Sequence, residues 1–350
     1  MNPGNPGGLD KRKAYILATV VYEYIATAEP VASQTLTQKY QLGVSSATVR
    51  NELADLEAGG YLVQPHTSAG RVPSDAGYRT FVDSLMQPEK LRAEDRRRIH
   101  DELRDASREL DEIIEGATRL LGNLSNNLAF ATKPSSDSQT FRHLQLIWLS
   151  ARTGMAIVVT SMGVAAQSLF EVAADVTPDE LTRLSNALNS RLGNKLLREI
   201  RESEVSAAVR ELGLADEFKK VVMSALRSAR SGEQPAVAAA GAQNLLDQPE
   251  FHDARKLRSI LNIVEEQKTL YDLVAESMTA EAPEVKIGHE LGIDEMLDLS
   301  IVTVPYRFGE SATGMLSVLG PRRMPYARLM ALASGTAETL SFRLSDAEIK

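Results

Sequence analysis

Between residues 14 and 60 the chain reads as helix, short helix, glycine-containing turn, longer helix, and this order constrains the fold more than any other feature. The first segment, KAYILATVVYEYI, gathers Ile16, Leu17, Val20, Val21, Tyr24 and Ile25 on one helical face. Pro30 then punctuates the chain, and Ser33 is the expected N-cap of a short helix carrying Leu36 and Tyr40. After the QLGV turn comes SSATVRNELADLEAGG, with Ser45 as its N-cap, Val49, Leu53 and Leu56 on one stripe, and Gly59 or Gly60 as the stop. This is a helix-turn-helix pattern. Downstream, YLVQP alternates like a short strand, and RVP is able to return antiparallel across the HTSAG turn. A hairpin in that place makes a winged helix, with one helix in the major groove and the hairpin on backbone or minor groove.

With Val49 turned inward at about 100° per residue, Ala47, Asn51 and Ala54 point outward and Arg50 lies on the flank. Asn pairs with adenine through two hydrogen bonds, Arg with guanine, and Ala meets a thymine methyl. Arg71, in the wing, becomes a phosphate or minor-groove contact. The competing reading is a helical subdomain whose outer face contacts protein. A net charge of -8 over 350 residues speaks against a generic polyanion binder, so nucleic-acid contact has to be local.

Beyond residue 90, Ile99, Leu103, Ala106, Leu110, Ile113, Ala117, Leu120 and Leu124 step by four and three, a heptad-like seam. It serves either a dimeric coiled coil or one amphipathic helix laid on the next domain. KPSSDSQ has the composition of a linker. FRHLQLIWLS, GMAIVVTS and VAAQSLFEV then read as three strands of an antiparallel meander. Thr177 and Pro178 open a helix, and helical patterning continues to about residue 280, interrupted by the uninformative SARSGEQPAVAAAGAQ. Strands return in LDLSIVTVPYRF and GMLSVLG, before a closing helix from PRRMPYARLM onward. Strands, helices and strands again predict an α+β domain split by a helical insertion.

Enzyme signatures are absent: there is no GxxxxGK[ST], GxGxxG, HExxH, GxSxG or SxxK. The five histidines, His66, His100, His143, His252 and His289, lack ligand spacing, and with no cysteine there are no disulfides or thiolate sites. No catalytic residue, cofactor or metal is therefore expected. No apolar run reaches the roughly 18 to 20 residues of a membrane span, and MNPGNPGGLDKRK lacks a signal-peptide core, so a cytoplasmic protein is expected.

The stretch VASQTLTQKYQLGVSSATVRNELADLEAGGYLVQPHTSAGRVPSDAGYRTFVD strongly resembles the N-terminal region of the bacterial heat-inducible transcription repressors of the HrcA family. GNLSNN, IGHE at 287 to 290 and GPRRMPY at 320 to 326 also look like family positions, while 190 to 280 matches loosely. The resemblance implies residues 1–88 as a winged-helix DNA-binding domain, 89–133 as an amphipathic connecting helix, and 134–192 as the first part of a GAF-like domain. It further implies 193–284 as a helical inserted dimerising domain and 285–350 as the second part of the GAF-like domain. Such proteins bind as dimers to an inverted-repeat operator ahead of chaperone operons and depend on the GroE chaperonin. Carried over, the DNA-binding residues are Ser45, Ser46, Ala47, Thr48, Arg50 and Asn51 in the recognition helix, and His66, Thr67, Ser68 and Arg71 in the wing. Thr48 does not point outward on the wheel, which makes it a phosphate or capping candidate. Two alternatives stand beside this: a regulator whose GAF-like domain senses a small molecule, and an interaction scaffold that never touches DNA.

Overall fold

The computed structural model describes residues 9–104, 109–134, 139–150, 152–161, 163–172, 176–231, 237–246, 248–251, 254–308 and 312–348. Helix α1 (Lys11–Thr27) starts where Asp10 accepts hydrogen bonds from the Arg12 and Lys13 amides, both at 2.9 Å. Its apolar stripe, Ile16, Leu17, Val20 and Val21, is fully buried. Helix α2 (Ser33–Lys39) begins at Ser33 itself, the residue expected to cap it, with Ala32 at the cap position. Ser33 thereby lies inside the helix, and its hydroxyl meets that of Ser46 at 3.2 Å. Helix α3 (Ser46–Ala58) carries the expected Ser45 cap and turns Val49, Leu53 and Leu56 inward. Gly60, with φ +79°, turns the chain into a two-stranded antiparallel hairpin, β1 (Leu62–Val63) and β2 (Val72–Pro73). The return strand passes so close to the first turn region that a Cβ on Gly70 would sit 2.5 Å from the Val31 carbonyl. Helix α4 (Asp75–Thr80), capped by Ser74, follows directly.

The connecting segment is two helices, α5 (Ala93–Arg104) and α6 (Leu110–Ser125), rather than one. Ala106 of the seam lies outside the described residues; Ile99, Leu103, Ile113, Ala117 and Leu120 are buried in the main core. Their partner is the last helix of the same chain, so the seam is closed intramolecularly. The amphipathic-helix reading therefore replaces the coiled coil for these positions.

The next elements are β3 (Leu128–Thr132), β4 (Phe141–Ser150), β5 (Thr153–Thr160), β6 (Gly163–Glu171), α7 (Pro178–Leu192), α8 (Glu202–Glu211), α9 (Asp216–Ser231) and β7 (Val237–Ala240). They are followed by α10 (Ala254–Glu265), α11 (Gln267–Ala275), β8 (Glu284–Ile287), β9 (Leu299–Phe308), β10 (Ala312–Pro321) and α12 (Tyr326–Glu348). Among the described residues two sheets form besides the hairpin, making an α+β protein: a five-stranded one ordered β7-β3-β10-β9-β8, and a three-stranded one ordered β4-β5-β6. In the larger sheet alternate residues face different cores. Ala129 and Ala131 of β3 join α6 and α12, while Leu128 and Phe130 join α10 and α11. The smaller sheet packs one face, with Phe141, Leu144, Leu146, Ala156 and Val158, against α7, α8 and α9.

In this grouping elements on either side of residues 192/193 share one core. Among the described residues, the meander of residues 141 to 171 pairs with no strand of the larger sheet, and it shares its core with helices running to residue 231. The sheet of β9 and β10 also takes in β3, expected within the connecting helix, which pairs with β10, and β7, in a stretch read only as a loose connection, which pairs with β3. LAFAT is buried on both faces and shows no alternation, and VAAA is a good helix former, so pairing across the sheet overrides local preference. The Ala-rich tail that carried no signal is an edge strand.

Candidate nucleic-acid interface

The helix-turn-helix is held by a buried carboxylate. Glu23 of α1 binds the Lys39 ammonium at the end of α2 and accepts from the Tyr40 hydroxyl at 2.9 Å. The Lys39 hydrogen bond holds the Glu23 carboxyl below its ordinary range against the opposing effect of burial, while burial and then Glu23 push the Tyr40 phenol up to about 12. Tyr40 therefore remains a donor at neutral pH, and the α2 end is fixed relative to α1.

On α3, Ala47, Arg50, Asn51 and Ala54 are exposed, as the wheel places them. The hydroxyl residues at its start do other work. Ser45 accepts from the Thr48 amide at 3.2 Å, and the two hydroxyls lie 3.0 Å apart. Ser46 is tied to Ser33, and Thr48 is half-buried. Of the recognition-helix residues carried over from the family, the geometry thus groups Ser45, Ser46 and Thr48 as end-of-helix contacts and leaves Ala47, Arg50 and Asn51 on the open face.

Three carboxylates on the same helix would repel a phosphate backbone if left bare. Each meets a cation instead: Glu52 lies 3.5 Å from Arg12 and 3.8 Å from Lys13, Asp55 lies 3.0 Å from Lys13, and Glu57 accepts from Arg71 Nε at 2.8 Å. The Asp55 contact raises the Lys13 pKa, so this ammonium stays charged. Pairing removes much of the local negative field at close range.

At the hairpin tip, His66, Thr67 and Ser68 are exposed and the Ala69 amide closes a turn on the His66 carbonyl at 2.8 Å. The Gln64 amide donates to the Thr67 and Ala69 carbonyls at 3.1 and 2.8 Å, which shapes the loop from within. Arg71 does not share this exposure. Its side chain is 18% exposed, its guanidinium is on Glu57, and its backbone exchanges two hydrogen bonds with Val31, at 2.8 and 2.9 Å. It ties the hairpin base both to α3 and to the strand-like segment before α2.

Sequence reasoning did not find the partners Glu23, Glu57 or Val31, nor a second set of contacts that join α4 to the IGHE and GPRR segments. The residue types were visible, but their pairing depends on the hairpin and on strands more than 200 residues away. Of the five histidines, His252 lies outside the described residues, and no cluster of three or more metal-binding side chains occurs among the described ones. No helix among the described residues is long and apolar enough to cross a membrane.

Comparison with known proteins extends over nearly the whole chain. The family described as HrcA protein C terminal domain matches residues 111–330. A heat-inducible transcription repressor HrcA from Pelotomaculum thermopropionicum is 36% identical over 334 residues, covering 95% of this chain and 96% of that protein. One from Geobacter sulfurreducens is 34% identical over 340 residues, covering 97% and 99%. Among solved structures, one described as a hypothetical protein at 2.2 Å resolution superposes with a TM-score of 0.59 at 23% identity, covering 97% of this chain and 99% of that one. That likeness concerns the fold.

Proposed function

The chain belongs to the HrcA family of heat-inducible transcription repressors, and from that premise we propose how a DNA-binding repressor of heat-shock genes is built from these residues. The N-terminal unit works as a winged helix, with α3 in the major groove and the β1-β2 hairpin as the wing. The observation that carries this reading is the open face of α3, where Ala47, Arg50 and Asn51 are exposed while the acidic residues of the same helix are paired away. Arg50 and Asn51 read base edges and Ala47 allows close approach. Ser45, Ser46 and Thr48 set the helix end against the backbone, and His66, Thr67 and Ser68 touch phosphate or the minor groove. Arg71 acts here as the brace of the wing rather than as its phosphate contact.

We read the five-stranded sheet with α6, α10, α11 and α12 as the GAF-like domain, and residues 139–231 as the insertion. Dimerisation is assigned to the outer face of β4-β5-β6. Ile147, Met155 and Leu169 line up across its three strands, and Leu149 and Leu169 are 51% and 69% exposed. An apolar row of this kind on an open sheet face marks an interface. A two-fold pair of heads then reads an inverted repeat. The family resemblance adds the GroE chaperonin as the partner that keeps the repressor active in the cytoplasm.

The test is the salt-dependent affinity of the purified chain for an inverted-repeat chaperone-operon duplex against a scrambled one, with and without GroE. A preference of about 10³ or more that rises with chaperonin is expected. No preference in either condition would remove the DNA-reading role of α3; a preference indifferent to chaperonin would remove only the GroE part.

A further inference from the structure

The motifs PSDAGYR, IGHE and GPRR, far apart in the chain, converge at one junction between the N-terminal unit and the sheet domain. Asp75, at the start of α4, accepts from the His289 amide at 3.2 Å and meets His289 Nδ1 at 2.6 Å; its other oxygen accepts from Arg322 at 2.7 Å. Arg322 also donates to Asp298 at 3.0 Å. One turn along α4, Arg79 grips Glu290 with Nε, at 2.9 Å, and Nη2, while Nη1 holds Asp83 at 3.1 Å. Glu290 in turn accepts from the Ile287 amide at 2.9 Å. The turn itself is shaped to fit: Gly288 has φ +51°, and a Cβ there would lie 2.4 Å from the Asp75 carboxylate. Beneath the charged groups, the buried rings of Tyr78 and Tyr326 meet edge to face at 6.1 Å.

We propose that Asp75 and Arg79, gripped by His289, Arg322 and Glu290, are positioning residues that fix the angle of each DNA-binding head on its body, and thereby the half-site spacing that the dimer accepts. This rests on the repressor reading and its dimer. Forked guanidinium-carboxylate pairs fix orientation as well as distance. The exposure of the groups, 30% and 38% for Arg79 and Glu290, keeps their share of overall stability small. None of Ala47, Arg50, Asn51, His66, Thr67 or Ser68 takes part, so the junction steers the head without covering its open face. A dimer whose heads are fixed presents two recognition helices at one separation, about one helical turn of DNA or a multiple of it. Freed heads would tolerate several separations and hold each less tightly.

The experiment compares the full chain with an Asp75→Ala/Arg79→Ala variant on three duplexes: a single half-site, the inverted-repeat operator, and the operator with its spacer changed by about half a turn. Wild type should prefer the natural spacer. The variant should bind the half-site within about twofold of wild type, bind the operator about tenfold more weakly, and lose most of its spacer preference, because two-site binding depends on effective concentration. The exchanged pair Arg79→Glu with Glu290→Arg should recover spacer preference that Arg79→Glu alone loses. Parallel loss on half-site and operator, or spacer preference retained by the variant, would overturn the proposal. Should the double alanine variant lose its far-ultraviolet dichroism, Glu290→Gln on the same duplexes decides by the same criteria. A wild-type chain that fails to distinguish operator from scrambled duplex would instead overturn the repressor reading.

Discussion

Arg71→Ala separates a brace from a phosphate contact. The Arg71 side chain is 18% exposed and its partner Glu57 35%, with Nε 2.8 Å from the carboxylate. A fully exposed pair contributes under about 1 kcal/mol, whereas breaking a fully buried one costs about 3 to 5 kcal/mol. Solvent on the Glu57 side places this pair near the lower figure, so the expected loss is about 1 kcal/mol, or about fivefold in a local opening constant. The reporter is the Val31 amide, which donates to the Arg71 carbonyl at 2.8 Å and is released only when the hairpin base opens. In hydrogen exchange, both Arg71→Ala and Glu57→Gln should speed this amide about fivefold in the full chain. On DNA, a lost phosphate contact would reduce the slope of log affinity against log salt by about 0.9. The brace predicts that the slope stays within that margin while every duplex is bound somewhat more weakly. A slope reduced by about 0.9 with unaltered Val31 exchange would refute it, and would mean that Arg71 leaves Glu57 for phosphate when DNA arrives.

Asn51→Ala or Arg50→Ala should cost about 1 to 3 kcal/mol on the operator and relax preference at a single base pair, read from a panel of singly substituted operators; uniform weakening across the panel would remove the base-reading role. Glu23→Gln should destabilise the chain by about 1 to 3 kcal/mol at neutral pH in urea unfolding, since a neutral amide replaces the buried carboxylate that holds the Lys39 ammonium and the Tyr40 hydroxyl. Because the folded pKa of Glu23 lies below its ordinary 4.5, its contribution is complete above that value and is lost as pH falls through the lowered folded value. The difference between wild type and Glu23→Gln should therefore shrink on acidification, and a constant gap down to acid pH would contradict the clamp. Leu169→Asp, on the open face of the three-stranded sheet, should yield monomers in sedimentation equilibrium, and an intact dimer would move the interface elsewhere.

What the sequence reveals here follows the range of the interactions. Helices α1 and α3 are readable because burial repeats every three to four residues, and Ser45 announces its helix through a bond only three residues long. The open face of α3 follows from the same periodicity, without any tertiary knowledge. Strands β3 and β7 escape because each is a short segment whose partner lies far along the chain, Ala131 against Leu316 and Ala238. Without those pairings, nothing local marks β3 and β7 as members of the larger sheet. The arginines show the same limit at a single side chain. Arg50, Arg71 and Arg79 belong to one N-terminal unit and carry the same charge, yet Arg50 stands in solvent, Arg71 is committed to Glu57 fourteen residues back, and Arg79 to Glu290 at a separation of 211 residues. Periodicity assigns Arg50 to a face because that face is set by its own helix. It assigns the other two nothing, since their roles are decided by where a hairpin folds back and where a distant turn arrives. A basic residue near α3 is thus open to solvent only where no carboxylate of the fold reaches it first.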